Sequence, residues 1–409
     1  MRSRTIERNL FINPNIVILY TTMKTPKLSK SQQHILDAIL DWFKVSKSQY
    51  ITLGGYAGTG KTTLLGYLSK YLSKEHKRLK IAFCSYTGKA SRVLFRKLHE
   101  VGFSQNPHYI GTIHRLIYRA IVNSEGEIIG WEKIPVEDFK YDLIIIDEAS
   151  MISEDIWIDL LSFNKPILAV GDHGQLPPIK ESFNLMQNPD LKLEEIYRQE
   201  RDNPIIALSE IARKYGSVPF QKYSKYVRKV NKHDMQTEEL VTDIFRSFDE
   251  DTMVLCGYNR TRINLNRAIR SLHFDSPLPQ SGDRVICLKN NREAEIFNGM
   301  TGTILDISKE NIGKDEYYFA EISLDCEEYP FVGRISIDQF NSTDLVINDM
   351  EDINYFDFGY ALTVHKAQGS QAKRVVLFEE RFSKMTDDNF RRWLYTGITR
   401  AEQELYIVA

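Results

Sequence analysis

Tyr50-Ile-Thr-Leu-Gly-Gly55-Tyr-Ala-Gly-Thr-Gly60-Lys61-Thr62-Thr63 is the stretch on which the fold turns. An apolar run ends in a glycine-rich turn, and helical sequence opens at Thr63. The turn has the spacing G-x-x-x-x-G-K-T, in which glycines let backbone N–H groups close around phosphate oxygens. The helix that follows adds the partial positive charge of its amino terminus. Gly55, Ala57, Gly58, Thr59 and Gly60 supply the cradle, Lys61 neutralises the β and γ phosphates, and Thr62 offers a hydroxyl to Mg²⁺. ATP and Mg²⁺ are therefore the expected cofactors.

Outward from this loop, short apolar runs alternate with helical sequence. Strands are expected at Tyr50–Leu53, Lys80–Cys84, Leu143–Ile146 and Ile167–Val170, and a helix from Leu28 places Ile35, Ile39 and Trp42 near one face. Such alternation predicts a parallel sheet covered on both faces, with ligands at the carboxyl ends of its strands. Leu143-Ile-Ile-Ile-Asp147-Glu148 delivers two adjacent carboxylates to that end. Asp147 is read as the Mg²⁺ carboxylate and Glu148 as the group that polarises the attacking water. The plain alternative, an acidic helix cap, fits poorly beside a complete phosphate loop. Arg198 and Arg400 are the arginines positioned in sequence to stabilise charge on a departing γ phosphate, although either alone could be a surface residue.

A second α/β set follows, with strands at Met253–Leu255, Val375–Phe378 and Leu405–Val408 and helices at Arg262–Leu272 and Asn389–Thr396. Between its parts, β-rich runs at Arg284–Leu288, Thr301–Ile307, Tyr317–Leu324 and Phe331–Ile337 predict a small antiparallel barrel. A shorter insertion, Tyr118–Tyr141, reads as a β-hairpin turning at Ser124-Glu125-Gly126, with Ile121, Ile128 and Trp131 able to brace it against the barrel. Its simplest alternative is an ordinary surface hairpin. Residues Met1–Thr22 show no clear period and precede a second methionine, Met23; a natural start at Met23 or a flexible leader is expected, with a short edge strand at Ile16–Leu19 as the alternative.

Composition narrows the function classes. With 42% hydrophobic and 26% charged residues the chain is globular, and a net charge of −2 means that any nucleic-acid binding must come from a local groove. Cys84, Cys256, Cys287 and Cys326 lack the spacing of a zinc site or disulfide framework and read as buried thiols in a reducing cytoplasm. No apolar run is long enough to span a bilayer, so no membrane role is expected.

The order of the remaining motifs resembles superfamily 1 helicases, in particular the RecD and Dda branch. Gln32 matches the glutamine that recognises adenine. Thr87-Gly-Lys89 resembles motif Ia, Thr112-Ile-His114 motif Ib, Asp147-Glu148 motif II, and Gly171-Asp172-His-Gly-Gln175 motif III. Tyr197-Arg198 resembles motif IV, Tyr258-Asn259-Arg260 the motif after it, Thr363-Val-His365-Lys366-Ala-Gln368-Gly369 motif V, and Thr399-Arg400 motif VI. The motif Ia stretch departs from the more frequent pattern at Gly88.

This resemblance covers the chain from Leu28 to its end and implies two RecA-like parallel-sheet domains of the P-loop NTPase class, with an inserted β-hairpin and an SH3-like barrel. The expected limits are a tail at 1–26, a first domain at 27–183 with the hairpin at 118–141, a second at 184–280 and 356–409, and the barrel at 281–355. It implies catalysis by Lys61, Asp147, Glu148, Gln175, Arg198 and Arg400, and nucleotide contacts that add Gln32, Thr63, Gln368 and Gly369 to the loop. Thr62 and Asp147 are the implied metal ligands. Thr87, Lys89, Thr112, His114, Asn259, Thr363 and His365 are the implied DNA contacts. The expected activity is a DNA helicase of replication, recombination or repair. It would run 5′ to 3′ on single-stranded DNA and at single-strand/duplex junctions, as a monomer in a bacterial or phage-infected cytoplasm. An ATPase that loads or remodels without separating strands, and RNA as the track, stay open.

Overall fold

The computed structural model describes residues 28–409 apart from 46–47, 101–102, 104–106, 123–127, 178–182, 197–201, 292, 295, 326, 328 and 348–351. The side chains of Lys89, Ala120, Val122 and residues 128–130 are likewise outside the description. The expected leader or edge strand at the amino terminus, the hairpin tip, Arg198 and Cys326 therefore lie outside the described residues.

The first unit contains α1 (Lys30–Val45), β1 (Tyr50–Gly55), α2 (Lys61–Glu75), β2 (Ile81–Ser85), α3 (Gly88–Glu100) and β3 (Tyr109–Thr112). It continues through α4 (Ile113–Ile117), β4 (Tyr118–Val122), β5 (Ile128–Lys133), β6 (Leu143–Asp147), α5 (Glu154–Leu161), β7 (Ile167–Gly171) and β8 (Leu191–Leu193). Six strands form one sheet in the order β3-β2-β6-β7-β1-β8, and every pairing in it is parallel. Side chains alternate between its two faces. Leu53, Ile81, Phe83, Ile145 and Leu168 pack on one side with α1 and α2, while Ala82, Cys84, Ile144, Ile146 and Ala169 pack on the other with α4 and α5. Burial on both faces is what turns these strands into continuous apolar runs.

The second unit contains α6 (Pro204–Tyr215), β9 (Val227–Val230), α7 (Met235–Arg246), β10 (Thr252–Cys256), α8 (Asn259–Arg270), β16 (Ala361–Thr363), β17 (Ala372–Phe378), α9 (Asp387–Ile398) and β18 (Ala401–Val408). Its five strands run parallel in the order β16-β10-β17-β18-β9. Between α8 and β16 lies an antiparallel sheet of β11 (Arg284–Cys287), β12 (Thr301–Ile312), β13 (Asp315–Leu324), β14 (Phe331–Ile335) and β15 (Phe356–Phe358), ordered β14-β13-β12-β11-β15. A bridge between Ile335 and Asn354 joins its two edges around a core of Val285, Ile304, Ile322 and Phe356.

Two of the expected limits move. β8 pairs with β1, so the first sheet extends past residue 183. The reason is Asp190, whose carboxylate accepts from the backbone N–H and hydroxyl of Thr52 at 2.9 and 2.7 Å and pins the returning chain to the sheet edge. β15 pairs with β11, which carries the antiparallel sheet to Phe358 rather than 355.

β4 and β5 pair antiparallel as a two-stranded ribbon. Its base is tied to α5: the Tyr118 hydroxyl donates to Asp159 at 2.5 Å, and Lys133 reaches Asp159 at 3.2 Å and Ser162 at 3.0 Å. Ile121 is exposed, so it does not provide the expected brace against the antiparallel insertion.

Candidate functional site

The strands of the first sheet all deliver their functional residues at one edge. β1 runs into the glycine loop, where Gly58 and Gly60 take positive φ (75° and 81°), a conformation that glycine adopts without steric cost. Lys61 donates to the carbonyls of Gly55 at 2.7 Å and Tyr56 at 3.1 Å; both acceptors are neutral. Gln32, buried on α1, donates to the Thr59 carbonyl at 3.1 Å and fixes the helix to the loop.

β6 ends at Asp147, whose carboxylate accepts the Glu148 backbone N–H at 3.0 Å. Glu148 itself adopts the left-handed conformation (φ 56°, ψ 40°), a strained choice for a side chain of this size and one typical of functional sites. Burial raises the pKa of both carboxyls; for Asp147 the Lys61 ammonium opposes the rise, whereas for Glu148 the Asp147 carboxylate adds to it and Arg400 opposes it. One oxygen of Glu148 and the side-chain oxygen of Gln175 are buried without a hydrogen-bond partner. Such orphaned acceptors fit a site built to receive a cation or a donating water.

The second unit closes the cleft. Arg400, buried at the start of β18, is held by the carbonyls of Thr396 and Ser370 and by the Thr399 hydroxyl at 3.0–3.2 Å. Gln32, the glycine loop, Lys61, Thr62, Thr63, Asp147, Glu148, Gln175, Gly369 and Arg400 line one cavity of about 510 Å³. Gly55 and Thr59 stand behind the loop rather than on its wall, and Gln368 donates instead to the Leu176 carbonyl at 2.7 Å. Tyr56, Lys97, Asp172 and Asn203 also line the cavity and were not anticipated as site residues. Asp172 lay inside a recognised motif, so position could have suggested it; Lys97 and Asn203 gave no sequence signal.

A second groove of about 320 Å³ runs between the two units and the antiparallel insertion. Thr87 and Thr112 face it as helix caps, accepting the N–H groups of Ala90 at 3.2 Å and Arg115 at 3.3 Å. His114 and His365 are on its wall, and burial lowers the pKa of His365, which favours a neutral ring. Phe297, from the insertion, meets the His114 ring at 5.1 Å, and Glu327 pairs with Arg115 at 3.0 Å. Lys366 also lines the groove. Thr363 is buried behind it, and Asn259 donates to the Thr343 carbonyl at 3.1 Å, so these two expected contacts are not on the groove wall. The Lys89 side chain is outside the description.

Among the described residues no helix is long and apolar enough to cross a membrane, and no His, Cys, Asp and Glu cluster of three or more could hold a metal on its own.

Residues 27–233 match the AAA domain family, and residues 358–408 match the UvrD-like helicase C-terminal domain. The chain is 26% identical over 404 residues to the ATP-dependent RecD2 DNA helicase of Deinococcus radiodurans; the match takes in 93% of this chain and 48% of that protein. It therefore spans about half the length of that relative. It is 23% identical to the ATP-dependent DNA helicase dda of Enterobacteria phage T4, over 93% of this chain and 99% of that one. With the Campylobacter jejuni ATP-dependent DNA helicase Pif1 the identity is 24%, over 81% and 83% of the two chains. Among solved structures, a Bacteroides Pif1 helicase with ADP-AlF3 and single-stranded DNA superposes with a TM-score of 0.50 at 16% identity, over 93% of this chain and 92% of that one. At that identity the likeness speaks to the fold alone.

Proposed function

This chain belongs to the AAA domain family, with its likeness running to superfamily 1 helicases of the RecD and Pif1 branch, and on that premise we propose that it is an ATP-dependent DNA helicase. It takes single-stranded DNA as its track, moves 5′ to 3′ and separates strands at a junction. The observation that carries this reading is the cleft: Lys61, Asp147 and Glu148 come from the first unit, Arg400 comes from the second, and all four line one cavity. Hydrolysis at such a site requires the two units to stay together, and a groove that crosses the same boundary can convert that dependence into motion.

Each residue's role follows from its surroundings. Among the described residues the hydrogen bonds of Lys61 go to neutral carbonyls, so its charge is available to phosphate. Thr62 and Asp147 would hold a Mg²⁺ ion, which would supply neutralisation of phosphate charge. Glu148 orients and deprotonates water; its raised pKa makes it a stronger base, provided that the pH keeps it ionised. Arg400, already positioned by three acceptors, stabilises charge as the γ phosphate departs. Arg198 is assigned the same task from sequence.

We read the parallel sheets as RecA-like domains and the closed antiparallel sheet as the SH3-like insertion, in a protein that works as a monomer in the cytoplasm. The experiment is strand displacement from 5′-tailed, 3′-tailed and RNA duplexes alongside ATP turnover. The reading expects DNA-stimulated hydrolysis and displacement from the 5′-tailed DNA. DNA-stimulated turnover without displacement on any substrate would favour a loader or remodelling ATPase. Displacement only from 3′-tailed DNA would reverse the polarity.

A further inference from the structure

The Tyr395 hydroxyl sits at a junction that the nucleotide chemistry does not use. It accepts the backbone N–H of Ala57, in the glycine loop, at 2.7 Å, and donates to the carboxylate of Asp172 at 2.6 Å. Tyr395 belongs to α9 of the second unit, whereas Ala57 and Asp172 belong to the first. Asp172 in turn accepts the Gly174 N–H at 2.9 Å and the Gln175 side-chain amide at 3.4 Å. One phenol thus connects the glycine loop, the second unit and the turn that carries Gln175.

The packing leaves little slack. A Cβ on Gly174 would stand 2.9 Å from the Tyr56 ring and 3.1 Å from the Tyr395 ring, so the turn closes directly against both. One residue further along α9, the Thr396 hydroxyl accepts the Leu176 N–H at 3.0 Å, and Arg400 faces Glu148 from the strand that follows. Burial holds the phenol protonated, as its donor role requires. Any rotation of the second unit that carries Arg400 towards or away from Glu148 must also strain both Tyr395 hydrogen bonds. Tyr395 is absent from the cleft wall, so it acts on the chemistry through the groups its hydroxyl holds, Asp172 and the loop.

We infer that Tyr395 is a positioning residue that couples closure of the two units to the orientation of Gln175 through Asp172. This rests on the helicase reading, because it assigns Tyr395 to the coupling of DNA-dependent hydrolysis.

The test uses the full chain with Tyr395→Phe, Asp172→Asn and the double variant. The phenylalanine keeps the ring in place, and thermal unfolding checks that it folds. At saturating oligo(dT), Tyr395→Phe is expected to lower kcat for ATP about tenfold, the scale of one buried charge-assisted hydrogen bond, with KM changed less than twofold. ATP consumed per base pair displaced should rise. Because both residues act through one bond, the double variant should be no slower than the slower single variant. A kcat within twofold of the parent, a loss confined to KM, or losses that multiply in the double variant would each overturn the inference. A parent without DNA-stimulated hydrolysis would instead remove the helicase reading, and this inference with it.

Discussion

Lys366 projects into the groove with its ammonium withdrawn from water, and burial together with the nearby Arg262 guanidinium brings its pKa down to about 8. Its charge is therefore present below about pH 8 and lost above it. Binding of single-stranded DNA should weaken between roughly pH 7 and 9 in the parent and change much less in Lys366→Met, as followed by fluorescence anisotropy. Equal pH dependence in the two proteins would mean that Lys366 does not meet phosphate. The arginine on the other side of the unit boundary offers a separate test. Arg400→Ala should reduce ATP turnover on the order of 10³-fold while DNA affinity is retained, because its partner is charge that develops in the transition state. Normal turnover by that variant would make Arg400 a structural residue, held as it is by three acceptors.

Among the helices, α8 shows how the antiparallel insertion is joined to its unit. Arg262, Asn266 and Arg270 recur at helical spacing and point one way. Arg262 pairs with Asp357 at 2.7 Å, Asn266 bonds to Phe358 and Ala361 at 2.9 and 2.7 Å, and Arg270 pairs with Asp283 at 2.8 Å. Asp283 lies where the chain enters the insertion and Phe358 to Ala361 where it leaves. One helical face therefore holds both crossings. Arg262→Met would leave the buried Asp357 carboxylate without its paired guanidinium, held only by the Asn341 and Phe358 N–H groups, and cost about 3–5 kcal/mol in urea unfolding. A loss below about 1 kcal/mol would show that Asp357 finds water or another partner. The hairpin is held differently, through Asp159 on α5. If it is the obstacle that splits the duplex, Asp159→Ala should lower strand displacement several-fold with DNA-stimulated ATPase nearly intact, since splitting a base-pair step costs about 1.4 kcal/mol and needs a rigid support. Parallel loss of both activities would place the defect in the motor instead.

For the molecule as a whole, a net charge of −2 leaves DNA affinity to a few local cations. Among the described cations of the groove Arg115 is already paired with Glu327, so on the proposed reading Lys366 and, from sequence, Lys89 would neutralise phosphate. Two such contacts predict a slope of about −1.4 in log affinity for single-stranded DNA against log salt, from about −0.7 per phosphate. A slope steeper than about −4 would require a basic surface elsewhere on the protein.

The sequence by itself determined the class of fold and the chemistry at each strand end. Apolar runs of strand length, followed by Gly60-Lys61-Thr62 or Asp147-Glu148, point to a parallel sheet with these residues at its carboxyl edge, and that sheet forms. Those are local signals, carried by a few neighbouring residues. Tertiary structure alone decided what depends on distant partners. It returned β8 to the first sheet through Asp190, placed Lys97 and Asn203 on the cleft wall, and left Thr363 and Asn259 off the groove. It also brought Tyr395 onto Ala57, across more than three hundred residues of chain. No periodicity encodes such a contact, because it is set by how the two sheets and their helices pack against each other.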